Sequence, residues 1–400
     1  MFEAEKEKNF FEMDNVIQNF AWGSKSSFSQ LFDIDNIGNE PQAEIWMGAH
    51  PNGCSRVQGS DSKVLLSQLI ETHQEEFLST QISEKFGELP YLFKVLAAEN
   101  ALSVQVHPSK EEAELGFQKE EQAQVQLSAH HRNYRDSNHK PELVYALTPY
   151  LAMNGFRPIP EIISLFSDVG VPQLSEMLEH FSANRSSEGL CEFFVGILSL
   201  VGDNKVEAVN SLISQVENNV TQELSSLILT LSEQYPGDIG LFTPLMLNVI
   251  TLEPGEAMYL DARTPHAYLK GTALEVMANS DNVLRAGLTP KHIDVQELAS
   301  CTLFEETPFA TLKLAPIIES NILTYPIPVP DFKFSIYKKP NNELIRPESA
   351  EILLPLDAEL TLTHHSGEVV ILKKGKSVFI PAYVDEYCIS SKGNVAKAYC

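Results

Sequence analysis

The sequence predicts a mainly β protein with a helical insertion, in which two related β-barrels flank an all-helical domain. Three observations indicate this fold class. Short apolar or alternating segments, typical of strands, recur before residue 153 and after residue 240. Amphipathic helices fill residues 160–235, and a twenty-residue segment starting at residue 252 recurs from residue 372. A chain of 400 residues has room for two or three domains.

The first β-rich region mixes short strands with helices. The strands expected here cover 43–47, 92–95 and 101–106, where apolar residues are consecutive or alternate. The helices expected here cover 62–77, which has an apolar side, and 111–126, which is polar and acidic.

The central block repeats the helical spacing of apolar residues three times. These amphipathic stretches cover 190–201, 206–216 and 224–231. Thr221 precedes the last stretch at a position where its side chain could cap the helix. The turn residues Tyr235-Pro-Gly-Asp238 are expected to close the block.

The internal repeat is the strongest organisational signal. Residues 252–271 align without gaps to residues 372–391, at an offset of 120 positions (372 − 252). Each copy has a Gly in a tight turn, then an alternating strand and a bend with a Pro, which is typical of a β-hairpin. The duplication predicts two related barrels; chance similarity over twenty residues is the alternative. His266 aligns with Glu386, and no Gln-x-His precedes the second copy, so only the first barrel is expected to bind metal.

The charge balance restricts the partners. The chain has 29 basic and 54 acidic residues and a formal net charge of −25. Long-range repulsion argues against nucleic acid and anionic membranes as partners, and it requires any anion site to be a local basic pocket. The acidic surface also disfavours tight self-association, so a monomer or weak dimer is expected.

Cysteine usage and apolar runs predict a cytoplasmic protein. The five cysteines are widely spaced and form no CxxC pair, which indicates neither a disulfide framework nor a Cys-ligated zinc site. The first fifteen residues are charged and lack the apolar core of a signal peptide. The most apolar run, 194–201, is far shorter than the ~20 residues that span a bilayer.

The segment 103–107 places three polar side chains on one side of a strand. Because side chains alternate in a strand, Ser103, Gln105 and His107 share one face, and Val104 and Val106 point to the other. The polar face could line a cavity, although a solvent-facing edge strand would show the same pattern.

Two later segments add candidate metal ligands. Pro141 fixes the local turn and sets Glu142 apart from Lys140, with a charged surface loop as the alternative. His266 follows a strand and a Pro-fixed bend, where a hydrogen-bonded core histidine is the alternative. The complete candidate set is Gln105, His107, Glu142 and His266. Histidine and carboxylate suit zinc, and a neutral Gln keeps the site positive, so that an open position can act as a Lewis acid.

Residues 274–291 carry a candidate anion clamp. Arg285 and Lys291 lie close to a Gly and a Pro, which predicts a constrained loop, and Arg can bind phosphate through two hydrogen bonds. Ordinary salt bridges with Glu275 or Asp281 are the alternative.

These segments resemble, in order, motifs of the type I mannose-6-phosphate isomerases. The matching segments are QNFAWGS (18–24), AEIWMGAHP (43–51), LFKVL (92–96), LSVQVHP (102–108), NHKPE (138–142), NGFR (154–157), TPHAY (264–268) and SDNVLRAGLTPK (280–291). The resemblance covers at least residues 16–295. It departs from the family at Phe20, where the family has Tyr, and no motif is recognised in the last hundred residues.

The resemblance implies cupin-type jelly-roll barrels, one metal-binding and one degenerate, and a helical domain between them. It places a discontinuous catalytic domain at 1–158 and 240–320, a helical insertion at 159–239, and a C-terminal cupin-like domain without metal at 321–400. It implies one Zn²⁺ per chain, held by the same four candidate ligands, and Arg285 in the active site. The implied substrate is a small sugar phosphate, and the reaction interconverts mannose 6-phosphate and fructose 6-phosphate.

We expect proton transfer between C1 and C2 of the open-chain sugar through a cis-enediol. Lys140 is the first choice for the base, provided that its amine is neutral, and Glu275 is the second. His139 is expected to assist ring opening, and zinc or Arg285 to stabilise the developing negative charge. The residues expected to hold the phosphate and the sugar are Trp22, Lys94, Ser103, Arg285 and Lys291.

Two other functions remain open from the sequence. Cupins also act as non-catalytic sugar or metal receptors, which isotope exchange at C2 would distinguish from an isomerase. A non-haem iron dioxygenase on the same barrel needs two or three His and one carboxylate around an oxidisable metal. The neutral Gln105 and the cations suited to phosphate argue against it, and elemental analysis would decide.

Overall fold

The computed structural model describes residues 8–59 and 62–400. The strands are β1 Phe11–Asp14, β2 Val16–Gln18, β3 Glu44–Met47, β4 Arg56–Gln58, β5 Lys63–Leu65, β6 Tyr91–Ala98, β7 Val104–Val106, β8 Glu142–Ala146, β9 Tyr150–Phe156, β10 Leu247–Leu252, β11 Ala257–Leu260, β12 His266–Ala278, β13 Leu284–Gly287, β14 Ile317–Glu319, β15 Ile322–Tyr325, β16 Lys333–Lys338, β17 Glu343–Ile345, β18 Glu351–Pro355, β19 Leu360–His364, β20 Val369–Leu372, β21 Ser377–Ile380, β22 Tyr387–Ser391 and β23 Asn394–Tyr399.

The α-helices concentrate between the two β-rich parts of the chain. They are α1 Ser27–Phe32, α2 Leu66–Thr72, α3 Gln74–Leu78, α4 Thr80–Phe86, α5 Lys110–Gln122, α6 Ile159–Val169, α7 Ser175–Ala183, α8 Ser187–Leu198, α9 Gly202–Asn219, α10 Gln222–Gln234, α11 Thr243–Met246 and α12 Val295–Cys301. The predicted strands at 43–47 and 92–95 are confirmed as β3 and β6. The strand predicted over 101–106 is shorter than expected, because only residues 104–106 form β7. The single helix predicted over 62–77 is wrong, because that segment starts as β5 and then forms the separate helices α2 and α3.

The first barrel is a ten-stranded assembly with the order β10-β9-β12-β6-β3-β2, to which β7, β8, β11 and β13 add. Its longest strand, β12, pairs with β7 and β9 through its first half and with β6 and β8 through its second half. One strand therefore links both walls of the barrel and carries His266 at one end and Glu275 near the other.

The strands β6, β8 and β12 are buried on both faces, which explains their nearly continuous apolar sequences. Alternate residues of these strands, such as Phe93, Leu143 and Val276, pack against the second barrel. The other set faces the interior of the first barrel, and includes Val144 and Ala273. The few charged residues on these strands are therefore buried among apolar side chains.

The repeated segment is confirmed as a structural repeat, but its interpretation as a β-hairpin is wrong. Gly255 and Gly375 both have positive φ, at 94° and 75°, in the same turn between two strands. However, β10 pairs with β9 while β11 pairs with β8, and β20 pairs with β19 while β21 pairs with β18 and β1. The turn carries the chain from one barrel wall to the other, so local sequence cannot reveal the partners of its strands.

The second barrel encloses its own core between the four-stranded sheet β17-β22-β19-β20 and one face of a nine-stranded sheet. Its core contains residues from both sheets, including Leu353, Leu362 and Ile389. The N-terminal strand β1 pairs with β21, so residues 11–14 extend a sheet of the C-terminal barrel. The domain limits 158/159, 239/240 and 320/321 remain a prediction.

The helices between the barrels share one apolar core with β7, β9 and β13. Val104 and Val106, both fully buried, face this core, which confirms the predicted alternation of strand β7. The predicted cap is also confirmed, since the backbone N–H of Leu224 donates to Thr221 Oγ1. Among the helices that the structure describes, none is long and apolar enough to cross a bilayer.

Candidate metal centre and the adjoining cavity

Three predicted ligands meet inside the first barrel. His107 follows β7, Glu142 begins β8 and His266 begins β12. His107 Nε2 lies 3.2 Å from Glu142 Oε1, and His266 Nε2 lies 3.7 Å from Glu142 Oε2. All three side chains are at most 2% exposed. Both imidazole Nε2 atoms are buried, and among the described residues neither has a hydrogen-bond partner, while Glu142 Oε1 faces the Lys140 ammonium at 2.7 Å. Such atoms cost free energy unless a cation coordinates them, so this donor set fits a metal ion.

Neighbouring groups orient both imidazole rings toward the common point. His107 Nδ1 donates to the backbone carbonyl of Asn282 at 2.6 Å, and His266 Nδ1 donates to that of Thr264 at 2.8 Å. Each donation fixes the tautomer that leaves Nε2 with a free lone pair. The hydroxyl of Tyr268 donates to Glu142 Oε2 and holds the carboxylate.

The electrostatics keep these ligands in their metal-binding forms. Burial, together with the nearby Lys140 ammonium, lowers the pKa of His107 to about 3. Burial also lowers the pKa of His266. Burial alone would raise the pKa of Glu142, but the charge of Lys140 holds it well below its usual range. Neutral imidazoles and an ionised carboxylate are the forms that bind zinc.

Gln105 is placed beside this group by strand pairing. It lies in the middle of β7, opposite His266 of β12 and opposite Arg285 of β13. Gln105 is buried and lines a cavity. The sequence prediction that a Gln-x-His strand and a distant His come together is therefore consistent with the register of the sheet.

The cavity has a volume of about 730 Å³. The sequence-predicted site residues on its wall are Trp22, Lys94, Ser103, Gln105, Lys140, Arg285 and Lys291. In the sequence these residues are spread between positions 22 and 291. They come together here because the strands next to them are neighbours in the barrel.

Two lysines of the cavity wall form buried ion pairs. Lys140 Nζ is 2.7 Å from Glu142 Oε1, and Lys94 Nζ is 2.7 Å from Glu275 Oε2. A second carboxylate, Glu44, lies 3.6 Å from Lys94 Nζ. Burial raises the pKa of Glu275 to about 7, although Lys94 opposes the rise. Lys94 therefore reaches the cavity with its charge already compensated.

The structure does not bring His139 to this cavity. Its Nε2 lies 3.0 Å from Oδ1 of Asp331, a buried residue between β15 and β16. Lys140 and Glu142, on either side of Pro141, both enter the site, while His139 is directed to the C-terminal part of the chain. The prediction that His139 assists ring opening is not supported by this placement.

Several residues in and around the site were not identified from the sequence. Glu44 and His50 lie in the AEIWMGAHP segment, whose resemblance to the family was the available signal. Asn282, fully buried, holds His107 through its backbone carbonyl. Arg135 lines a smaller adjoining cavity with Arg285. No periodicity singles out these residues.

Comparison with known proteins decides the family. Three family models match: the type I phosphomannose isomerase catalytic domain over residues 10–159, its helical insertion domain over 165–247, and the mannose-6-phosphate isomerase cupin domain over 321–400. The mannose-6-phosphate isomerase of Escherichia coli (strain K12) is 45% identical over 387 residues, which cover 96% of this chain and 98% of that protein. The chain belongs to the type I mannose-6-phosphate isomerases.

More distant relatives and solved structures agree with this membership. The Homo sapiens mannose-6-phosphate isomerase is 36% identical over 408 residues, and the alignment covers 93% of this chain and 93% of that protein. A crystal structure of a point mutant of phosphomannose isomerase from Salmonella typhimurium matches with a TM-score of 0.94 at 44% identity, over 98% of this chain and 99% of that one. A zinc-bound mannose 6-phosphate isomerase matches with a TM-score of 0.93 at the same identity and coverage. The predicted resemblance and the cupin fold are confirmed.

The second barrel of this family member retains the carboxylate of the metal centre and also pairs it with a lysine. Leu260, opposite Glu142, corresponds in the repeat to Ile380, and the residue opposite Ile380 is Glu351. Lys397 Nζ lies 2.8 Å from Glu351 Oε1, and the Tyr387 hydroxyl donates to Glu351 Oε2. Both buried carboxylates therefore have a lysine ammonium nearby, since Lys140 Nζ lies 2.7 Å from Glu142 Oε1. The difference between the barrels is the histidines, because Glu386 stands in the repeat where the first barrel has His266.

Replacing Lys397 with Met is expected to destabilise the second barrel by about 3–5 kcal/mol, because Glu351 would keep a buried charge without a partner. The free energy of unfolding from urea titration measures this effect. Adding Glu351→Gln should restore much of the loss, and Lys392→Met, at an exposed lysine of the same barrel, should change little. Wild-type stability of the single Lys397 variant would show that the pair is not what neutralises Glu351.

A second histidine–carboxylate group lies on the surface of the C-terminal barrel, formed by His364, His365 and Asp385. His365 and Asp385 are more than half exposed. His364 Nδ1 accepts a hydrogen bond from the backbone N–H of Ser366, so its Nε2 carries the proton and donates to Asp385 at 3.1 Å. Since Nε2 has no free lone pair in this arrangement, we assign the group to surface hydrogen bonding.

Proposed function

We propose that this chain binds one zinc ion and interconverts mannose 6-phosphate and fructose 6-phosphate. The observation that carries the proposal is a cluster of buried ligand atoms next to a cavity lined by cations. The Nε2 atoms of His107 and His266, which have no hydrogen-bond partner among the described residues, converge on the Glu142 carboxylate. The zinc-bound relative and the names of the curated relatives support the choice of metal and substrate.

Gln105, His107, Glu142 and His266 would hold the zinc. When bound, the ion supplies Lewis acidity near the carbonyl and hydroxyl oxygens of the sugar. Gln105 joins the other three through its register position between the strands of His266 and Arg285. A neutral fourth ligand beside two neutral imidazoles and one carboxylate leaves the site with net positive charge.

We propose a cis-enediol pathway for the open-chain sugar. A base removes the proton from C2 of the aldose, the electron pair forms the C1–C2 double bond, and the carbonyl oxygen at C1 takes up a proton. Return of the carbon-bound proton to C1 and loss of the O2 proton give the ketose. The chain's part is to hold the base beside C1 and C2 and to place positive charge where the oxygen becomes negative.

Lys140, acting as the neutral amine, is the preferred base, with Glu275 as the alternative. Lys140 lines the cavity, and its Nζ lies 2.7 Å from the ligand Glu142. Glu275 is 2% exposed and lies behind Lys94, to which it is bound. Arg285, opposite Gln105 in the sheet, is placed to stabilise negative charge on the substrate. Lys94, already paired with two carboxylates, is better suited to sugar hydroxyls than to the phosphate dianion.

The remaining wall residues would hold the two ends of the substrate. Ser103 offers a hydroxyl and Trp22 an apolar indole face, and Trp22 is stacked on Phe20 with ring centroids 5.8 Å apart. Lys291 and Arg285 provide charge for the phosphate. Ring opening is not assigned to His139, since its imidazole is bound to Asp331.

Cytoplasmic location and a monomer or weak dimer are part of this proposal. A net charge of −25 and five free cysteines support both, because a strongly acidic surface resists self-association and free thiols suit a reducing compartment. Analytical ultracentrifugation at several protein concentrations tests the oligomeric state.

A coupled assay with mannose 6-phosphate tests the function. Zinc-loaded protein should form fructose 6-phosphate, a chelator should abolish the activity, and zinc should restore it. Release of deuterium from C2-labelled substrate into water, or its transfer to C1, would distinguish an isomerase from a sugar receptor. Absence of product from the zinc-loaded protein would reject the proposal.

The pH profile should show an acidic limb near pH 7. Because burial raises the pKa of Glu275 from 4.5 to about 7, this carboxyl is protonated below pH 7 and ionised above it. Activity should rise as Glu275 ionises, since only the anion can act as a base or balance Lys94. In a Glu275→Gln variant kcat/KM should be lower and this limb absent; an unchanged limb would assign it to another group.

A further inference from the structure

Three cations next to the metal-site cavity have no carboxylate partner among the residues that the structure describes. Within the described ranges 8–59 and 62–400, other arginines such as Arg132 and Arg346 lie within ion-pair distance of glutamates. The structure records no such pair for Arg135, Arg285 or Lys291. In a chain with a net charge of −25, leaving three neighbouring cations uncompensated points to an anionic ligand.

The three cations line a cavity of about 380 Å³ that continues the large one. Both cavities share Asp281, Val283, Arg285, Pro290 and Lys291 as wall residues, so the small cavity is a side chamber of the substrate site. Of the three cations, Arg285 and Lys291 line both cavities, and Arg135 lines the side chamber.

The single carboxylate among the described residues of the side chamber is already engaged. Asp281 Oδ1 lies 3.4 Å from His50 Nε2, and Asp281 Oδ2 accepts a hydrogen bond from Asn52 at 2.8 Å. Both partners belong to the wall of the large cavity. Asp281 is therefore held toward them, and the three cations are left to an external anion.

Asn282 fixes the loop of Arg135 relative to the metal centre. The backbone N–H of Arg135 donates to Asn282 Oδ1 at 2.6 Å, and the backbone carbonyl of the same Asn282 accepts from His107 Nδ1 at 2.6 Å. The side-chain N–H groups of Asn282 donate to the backbone carbonyls of Asp136 and Asn138. One fully buried residue thus sets the distance between the metal ligand and the arginine.

The guanidinium of Arg135 keeps most of its donors for a ligand. Its recorded side-chain hydrogen bond is a long one, 3.4 Å from Nη2 to the carbonyl of Ala129. Burial, followed by the charge of Arg135, lowers the pKa of Arg285, and burial with both arginines lowers that of Lys291. The cations repel one another, and binding of an anion would relieve this repulsion.

We propose that Arg135, together with Arg285 and Lys291, binds the phosphate group of the substrate. Two guanidinium groups can each give two parallel hydrogen bonds to phosphate oxygens, and an ammonium adds a point charge. The side chamber would receive the phosphate end while the sugar carbons reach Lys140 and the metal centre. The identity of the sugar phosphate rests on the proposed function; the phosphate site itself does not.

The test compares Arg135→Gln and Arg135→Lys with wild type, all zinc-loaded. In the Gln variant the KM for mannose 6-phosphate should rise about 10- to 100-fold, as expected for loss of charged hydrogen bonds, while kcat and zinc content change little. The Lys variant should recover part of the loss. Arg346→Gln, at an exposed arginine of the C-terminal barrel, is the charge-matched control and should behave as wild type.

Titration of inorganic phosphate into the same zinc-loaded proteins gives a readout that is independent of turnover. Wild type should bind phosphate, and Arg135→Gln should bind it at least about tenfold more weakly. Unchanged KM and unchanged phosphate affinity in Arg135→Gln would overturn the inference, as would a loss of zinc or of thermal stability that accounts for the change. If wild type binds phosphate through Arg135 but does not isomerise mannose 6-phosphate, the proposed function fails and the phosphate site stands.

Discussion

Replacing His266 with Ala is expected to remove both the bound zinc and the isomerase activity. The imidazole Nε2 is buried without a hydrogen-bond partner, and the Nδ1 donation to Thr264 keeps its lone pair available. Removing a residue that only orients a metal ligand typically lowers metal affinity or activity by about 10- to 100-fold. Removing a ligand itself should have a larger effect, so kcat/KM should fall by more than about 100-fold. Elemental analysis of the purified variant and the coupled assay measure the two effects.

The control for this variant is His180→Ala, at an exposed histidine of α7. It should retain zinc and full activity. Thermal unfolding of zinc-free wild type and zinc-free His266→Ala should be compared as well, because a folded variant is needed to attribute the loss to coordination. Full activity in a His266 variant without metal would refute the metal role.

Replacing Lys140 with Met should lower kcat by about 10²- to 10⁴-fold, the usual contribution of a positioned general base. The substituted side chain keeps most of the apolar stem but cannot transfer a proton. KM should change much less, because Lys140 is not one of the cations assigned to the phosphate. Loss of deuterium exchange at C2 would show directly that the affected step is proton transfer.

Zinc content must be measured in the same variant, since Lys140 lies 2.7 Å from the ligand Glu142. Lys270→Met, at a lysine whose side chain is 67% exposed, provides the matched control. If Lys140→Met retains zinc and wild-type kcat while Glu275→Gln does not, Glu275 is the base.

Local patterns predicted the elements well where a single periodicity dominates. The alternation in 103–107 correctly assigned Val104 and Val106 to an apolar face, because a strand offers only two faces. The spacing in the central block predicted three of its helices, and Thr221 marked the start of one. The helix expected over 62–77 failed, since its first residues pair with β4 as a strand. The partner strand β4 ends only a few residues earlier in the chain, but the helical spacing of the apolar residues in 62–77 does not reveal the pairing.

The candidate ligands were identifiable because metal chemistry limits the residue types that serve it. The ordered motifs and the internal repeat also indicated that His266 lies at the end of a strand. The structure places His266 at the start of β12, opposite Gln105 and close to Glu142. The direction of His139 could not be predicted in this way. It neighbours Lys140 in sequence, but Asp331, which binds it, lies 192 positions further on.

The sequence by itself determined the alternation of strands and helices, the duplicated unit and the residue types able to hold a metal, because these depend on spacing along the chain. Only the tertiary structure decided which charges are compensated. It pairs Lys94 with Glu275 and Lys397 with Glu351, yet within 8–59 and 62–400 it brings no carboxylate within ion-pair distance of Arg135. Ion pairs form between side chains that the packing of strands brings within a few ångströms, and no local periodicity encodes that distance.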